Sequence, residues 1–258
     1  MSVAAELNKG HVAVVFGGGG AIGSACVRAF AEAGARVVSV DIGEDAAARA
    51  IEGLDGSHTA LACDVTRPEA VVALARRIGA VDSVIYAAGL NADGYVADID
   101  WAVYRQVMAV NLDGAFHVCA AFSPVLCARA TGGSIVLLSS TAGLRGEAGG
   151  AIYCAGKFGL IGLTESLAAE LGAHGVRVNA VCPGNVDSPM LREVAANIAT
   201  RTGEDASAIW QEMTHAGAAS RLITPEEIAA SALYLAGPTS AAITGIALRV
   251  DAGAMLSL

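Results

Sequence analysis

Residues 11–34 read HVAVVFGGGGAIGSACVRAFAEAG, and few folds accommodate such a stretch. The run 11–16 is short, Val-rich and continuously apolar, as a strand buried on both faces must be. It leads into four glycines, Gly17–Gly20, and then into an Ala-rich segment of helical length. Gly18, Gly20 and Gly23 satisfy GxGxxG. Glycine lets the chain turn tightly and lets a pyrophosphate approach the helix N-terminus, where unpaired N–H groups favour an anion. By itself the pattern is a tight turn of any α/β protein. Here it follows a strand and opens a helix, as phosphate binding requires.

The same rhythm runs through the chain. Apolar runs recur at 35–41, 58–64, 81–89, 133–140, 176–183 and 246–251, with helical Ala-rich segments between them. Gly34 and Gly175 mark returns from helix to strand. This alternation predicts a single α/β domain over 1–258: a doubly wound parallel sheet of seven strands, Rossmann-like, with helices on both faces. Residues 187–224 interrupt the pattern. An insertion at the carboxyl end of a strand is where a binding lid would sit, at about 187–220; the alternatives are an oligomer contact or a plain surface excursion.

Strand two ends in Asp41, 18 residues beyond Gly23. A carboxylate there binds both hydroxyls of an adenosine ribose and repels a 2′-phosphate. Ile42 follows and the glycine loop has no Arg or Lys, so NAD is expected rather than NADP. Read alone, Asp41 is equally a helix cap or turn residue.

Charge excludes other classes. The net charge of −9 disfavours nucleic acid, whose phosphates need Lys and Arg. The six cysteines include no CxxC pair and lie in or beside apolar segments, suggesting reduced core residues of a cytoplasmic protein. The five histidines are isolated, so no metal site is expected. No signal peptide or uninterrupted 18-residue apolar run is present, and no membrane role is expected. With 54% hydrophobic and only 16% charged residues, some surface is expected to be covered by other subunits.

In AIYCAGKFGL (151–160), Tyr153 and Lys157 are one helical turn apart. They share a face, and a neighbouring ammonium would lower the phenol's pKa from about 10. The small residues between them would let another molecule lie against the helix. An isolated YxxxK is also an ordinary surface pair.

Together these residues resemble the short-chain dehydrogenase/reductase family over nearly the whole chain. The family's TGxxxGxG corresponds to Phe16, Gly17, Gly18–Gly20, Ala21, Ile22 and Gly23. Asp64 and Val65 resemble the pair that contacts adenine. Ala88 and Gly89 stand in YAAG, where the family has NNAG. Asn111 matches the active-site asparagine, and Ser140 precedes Tyr153 by the usual 13 residues. CPGNVDSPM (182–190), with Pro183, Gly184, Val186 and Ser188, is similar to the segment that holds the nicotinamide amide. The resemblance implies a general acid/base at Tyr153 and a substrate hydrogen bond from Ser140. It implies that Lys157 lowers the Tyr153 pKa and binds the nicotinamide ribose, and that Asn111 anchors a water leading to solvent. It also implies a homotetramer packed through helices at 112–131 and 150–172.

Three departures accompany the match. Phe16 replaces a threonine, Ala21 replaces a glycine, and Tyr86 and Ala87 replace both asparagines of NNAG, so a polar tether is expected to be lost. The substrate pocket should draw on 91–96, 141–150 (with Arg145 and Glu147) and the insertion, where Trp210 and His215 sit. The expected substrate is a secondary alcohol or its ketone: a small polyol, sugar-derived alcohol or hydroxy acid. The alternatives are a 3-oxoacyl thioester reductase acting on an acyl carrier protein, and a catalytically idle dinucleotide-binding protein.

Overall fold

The computed structural model describes residues 7–256. The expected sheet is present: seven parallel strands in the order β3-β2-β1-β4-β5-β6-β7. They are β1 (Val12–Phe16), β2 (Arg36–Asp41), β3 (Thr59–Ala62), β4 (Ser83–Tyr86), β5 (Gly133–Leu138), β6 (Val176–Pro183) and β7 (Ala247–Val250).

The continuous apolar runs have a simple cause. Successive residues of a strand face opposite sides, and here both sides are covered. Val14, Phe16, Val38, Val40, Ile135 and Leu137 enter one core. It is closed by α3 (Pro68–Ile78), α5 (Gly114–Cys127) and α6 (Ala151–Leu171). Their neighbours Ala13, Val15, Val37 and Val136 enter the other, under α1 (Ala21–Glu32) and α9 (Pro225–Ala236). A further helix, α2 (Glu44–Ile51), follows β2.

α4 (Trp101–Met108) runs into α5 through a π-helical turn at Ala109–Asp113. This continuous 27-residue helix is long and apolar enough to cross a membrane. It carries Arg105, Asn111 and Asp113, and Val118, Cys119, Phe122 and Leu126 are buried in the sheet core. It is the core helix of a doubly wound domain. The insertion after β6 forms two helices, α7 (Pro189–Thr202) and α8 (Ala206–His215). Ser188 caps α7 by accepting from the Leu191 N–H at 3.2 Å.

The strand order reverses between β1 and β4. The loops leaving these two strands therefore diverge and leave a crevice at their carboxyl ends.

Candidate active site

The glycine loop lies at this crevice. Gly17 has φ +76°, and a Cβ there would stand 2.5 Å from the Ala88 nitrogen on the loop after β4. A Cβ on Gly23 would stand 1.9 Å from the Gly17 carbonyl oxygen, and one on Gly18 2.3 Å from the Ser39 hydroxyl. Only glycine lets the loop fold this tightly. Gly23→Ala must push backbone against backbone. We expect a loss of about 1–3 kcal/mol or more, read as a lower thermal midpoint, together with loss of NADH binding by fluorescence titration.

Two departures in this loop prove benign. Phe16 turns its ring into the core, edge-on to Phe122 at 5.7 Å. The tie that a threonine would provide comes instead from Gly18 N–H to Val40 O at 3.0 Å, Gly20 N–H to Gly17 O at 3.1 Å, and Gly19 N–H to Asp41 Oδ2 at 2.9 Å. Ala21 is the first residue of α1 and has no positive φ, so its methyl is unstrained. Gly20 caps α1 without a side chain, which leaves the helix N–H groups open. Asp41 uses two acceptor positions, on Gly19 and Ile42, and a carboxylate has about four. These residues fit a dinucleotide.

Asp64 and Val65 lie farther along the same edge. Asp64 Oδ1 accepts from the Thr66 N–H at 3.0 Å and its hydroxyl at 2.7 Å. Val65 packs into the core against Gly114 and its carbonyl is bonded to the His117 ring at 2.9 Å, which leaves its backbone N–H for a ligand.

The third departure is repaired from elsewhere. Tyr86 is fully buried, and its hydroxyl donates to the Val110 carbonyl at 2.5 Å. This ties β4 to the π turn, so the tether expected to be lost is replaced by a longer one. Gly114 makes room for it, since a Cβ there would stand 2.5 Å from the Tyr86 oxygen. The π turn carries Asn111 inward, where it is fully buried. Asn111 accepts from the Leu90 N–H at 2.8 Å and donates to the Leu90 carbonyl at 2.9 Å.

Across the crevice a cleft of about 250 Å³ brings together Ser140, Tyr153, Lys157, Gly89 and Ile22. Pro183, Gly184, Val186 and Ser188 complete its β6 side. The buried Ser139 hydroxyl donates to the Lys157 carbonyl at 2.9 Å, fixing α6 to the end of β5. Ser140 accepts from the Ala142 N–H at 3.1 Å, so its hydroxyl proton remains free for another partner.

One expectation fails here. Tyr153 is not lowered: burial pushes its phenol up to about 12, with the Ser140 hydroxyl pulling the other way. The reason is where the ammonium points. Lys157 Nζ donates to the Leu138 carbonyl at 2.7 Å and lies 5.6 Å from the centre of the Tyr153 ring. Burial brings Lys157 itself down to about 8.

Neither insertion residue singled out in the sequence, Trp210 or His215, lines the cleft; Met213, which the sequence reading passed over, does. Trp210 stacks on Arg192 at 4.5 Å, and exposed His215 bonds the Gln211 carbonyl. α7 is fastened to the loop after β4 by Arg201, which donates to both Asp93 oxygens at 2.8 and 3.2 Å and lies 4.8 Å over the Tyr95 ring.

A glycine loop at the switch point facing a Ser–Tyr–Lys set defines the chain as an oxidoreductase of the dinucleotide-dependent kind. Residues 19–255 match the family model described as enoyl-(acyl carrier protein) reductase. The chain is 38% identical over 250 residues to galactitol 2-dehydrogenase (L-tagatose-forming) of Cereibacter sphaeroides, covering 95% of this chain and 94% of that one. It is 35% identical over 250 residues to a 3-oxoacyl-[acyl-carrier-protein] reductase of Chlamydia muridarum, covering 93% and 96%. The crystal structure of gox2181 superposes with a TM-score of 0.86 at 30% identity, covering 99% of this chain and all of the other. The chain belongs to the short-chain dehydrogenase/reductase family.

Proposed function

We propose that this chain is an NAD-dependent dehydrogenase that interconverts a small secondary alcohol and its ketone. The observation that carries this reading is the convergence of Ser140, Tyr153 and Lys157 on one cleft beside the glycine loop. NAD, held along Gly17–Gly23 with its ribose at Asp41, would supply the hydride acceptor. The protein's own part is to manage the proton. Ser140 holds the substrate oxygen in line with the phenol, and Tyr153 takes the alcohol proton in oxidation or returns it in reduction. Lys157 places a buried positive charge in the same cleft, 5.6 Å from the centre of the Tyr153 ring, where it can act on negative charge developing there. The clamp of Asn111 on Leu90 fixes the backbone opposite Lys157. The α7–α8 insertion acts as the lid of the cleft.

Asp41 supports NAD over NADP, because its carboxylate meets the position a 2′-phosphate would take. In a screen of secondary alcohols, polyols, sugars and hydroxy acids, NAD⁺ is expected to be reduced with kcat/KM at least about tenfold above NADP⁺. Asp41→Ser should narrow or reverse that ratio. Equal use of both cofactors by the unaltered protein would sink the Asp41 reading.

Similarity to the Chlamydia reductase favours a second reading, a 3-oxoacyl thioester reductase. The acidic net charge of −9 and Asp41 speak against it, since an acidic carrier needs a basic patch. An idle dinucleotide-binding protein would have no use for an intact Ser140–Tyr153–Lys157 set. We assign the protein to the cytoplasm on its unpaired cysteines. A homotetramer is supported by the exposed apolar Phe116 on α5 and Phe158 on α6.

A further inference from the structure

The cleft carries two acids besides the Ser–Tyr–Lys set, Asp93 and Glu147. Their situations differ. Asp93 is neutralised by Arg201 in a contact that leaves both side chains at most 16% exposed. Glu147 has no hydrogen-bonded or ion-paired side-chain partner among the described residues. Glu147 is exposed to solvent at the cleft; desolvation by the surrounding walls raises its carboxyl and the Arg145 charge pulls it the other way. Glu147 also opposes ionisation of the Tyr153 phenol, and the two side chains line the same cleft.

Among the described residues that line the cleft no cation balances it, and Arg145 lies outside that lining. Among the described residues Lys157 is the only basic one lining the cleft, and its ammonium is directed to the Leu138 carbonyl. Asn185, also in the wall, spends an amide N–H on the Met213 carbonyl, which leaves its acceptor oxygen uncommitted. The α7 side is apolar, with Leu191, Val194 and Ile198. Such a site offers acceptors to hydroxyl groups and carbon surface to a chain. A carboxylate would meet Glu147 uncompensated.

We propose that Glu147 is the specificity-determining residue of this site. It accepts a hydrogen bond from a hydroxyl next to the reacting carbinol, and so selects neutral polyols and sugar-derived alcohols over hydroxy acids. This rests on the alcohol dehydrogenase reading above and narrows its substrate class.

The experiment pairs each polyol with the hydroxy acid of the same chain length and compares kcat/KM with NAD⁺ for the unaltered protein, Glu147→Gln and Glu147→Lys. The side chain holds no internal contact that folding needs, so both variants should be as soluble and as stable as the parent. The unaltered protein should prefer the polyol by about tenfold or more. Glu147→Gln should erode the preference by about tenfold, and Glu147→Lys should reverse it. Polyol-to-acid ratios unchanged across the three proteins, or a native preference for the acid, would overturn the assignment of Glu147 while leaving the dehydrogenase reading intact. Turnover of neither class by the unaltered protein, with NADH still bound, would overturn both.

Discussion

Tyr153→Phe is expected to lower kcat for alcohol oxidation by about 10³-fold while leaving NADH affinity within a few-fold. The substitution keeps the ring, which sits between Ser140 and Lys157, and removes only the oxygen that exchanges the proton. The pH dependence follows from the direction of the shift. Burial holds the phenol up to about 12, so at neutral pH it carries its proton and is ready to act as an acid. Oxidation needs the deprotonated form, and its kcat/KM should climb with pH from about 7 and flatten above about 8, where Lys157 loses its charge. Reduction needs the protonated form and should stay level to about pH 8, then fall as Lys157 loses its charge. In Tyr153→Phe the oxidation profile should lose its rising limb. Steady-state rates in both directions from pH 6 to 10 check this. A variant that keeps a tenth or more of native activity would remove Tyr153 from the proton path.

Much of this arrangement was legible in the sequence because its signals are local. Both faces of every strand of a covered parallel sheet must be apolar, and each such run became a strand, from Val12–Phe16 to Ala247–Val250. The glycine loop, Asp41, Ser140 and the Tyr153–Lys157 pair are each short motifs whose geometry depends on one turn of chain. What escaped depends on pairs distant in sequence. The Tyr86 hydroxyl reaches Val110 across 24 residues, so a residue that read as the loss of a tether is the tether. Arg201 reaches Asp93 across 108 residues, and no pattern in either segment announces the other. The tyrosine pKa also escaped. Spacing puts Lys157 on the same helix face, but only the fold decides that its ammonium turns to Leu138. Glu147 was visible as a charge in a small-residue loop, yet its lack of a partner became apparent only once Asp93 was seen to be paired.

Lys157→Met should move stability and activity in opposite directions. A lysine held near 8 instead of its ordinary 10.5 binds its proton less well folded than unfolded. At neutral pH that preference costs the fold roughly 3 kcal/mol. The sign follows from the depressed folded pKa: stability linked to this group is present above 10.5 and is lost as pH falls through about 8. Methionine has no such cost, although it abandons the bond to the Leu138 carbonyl, worth about 1.5–3 kcal/mol. The variant should therefore match or slightly exceed the parent at pH 7. Its advantage should fade as pH rises toward 10, where the parent's lysine becomes neutral. The high-pH effect of Tyr153 is common to both proteins; Cys182, which burial raises to about 11, loses the attraction of Lys157 in the variant and so stays protonated at pH 9.5 in both. Urea unfolding of the two proteins at pH 7 and pH 9.5 measures that difference, and kcat on the best alcohol should fall by about 10²-fold or more. A parent more stable than the variant by several kcal/mol at pH 7 would mean that Lys157 is there to hold the fold. The expected result means that the fold bears a buried charge, fixed 2.7 Å from the end of β5, for the sake of the chemistry beside it.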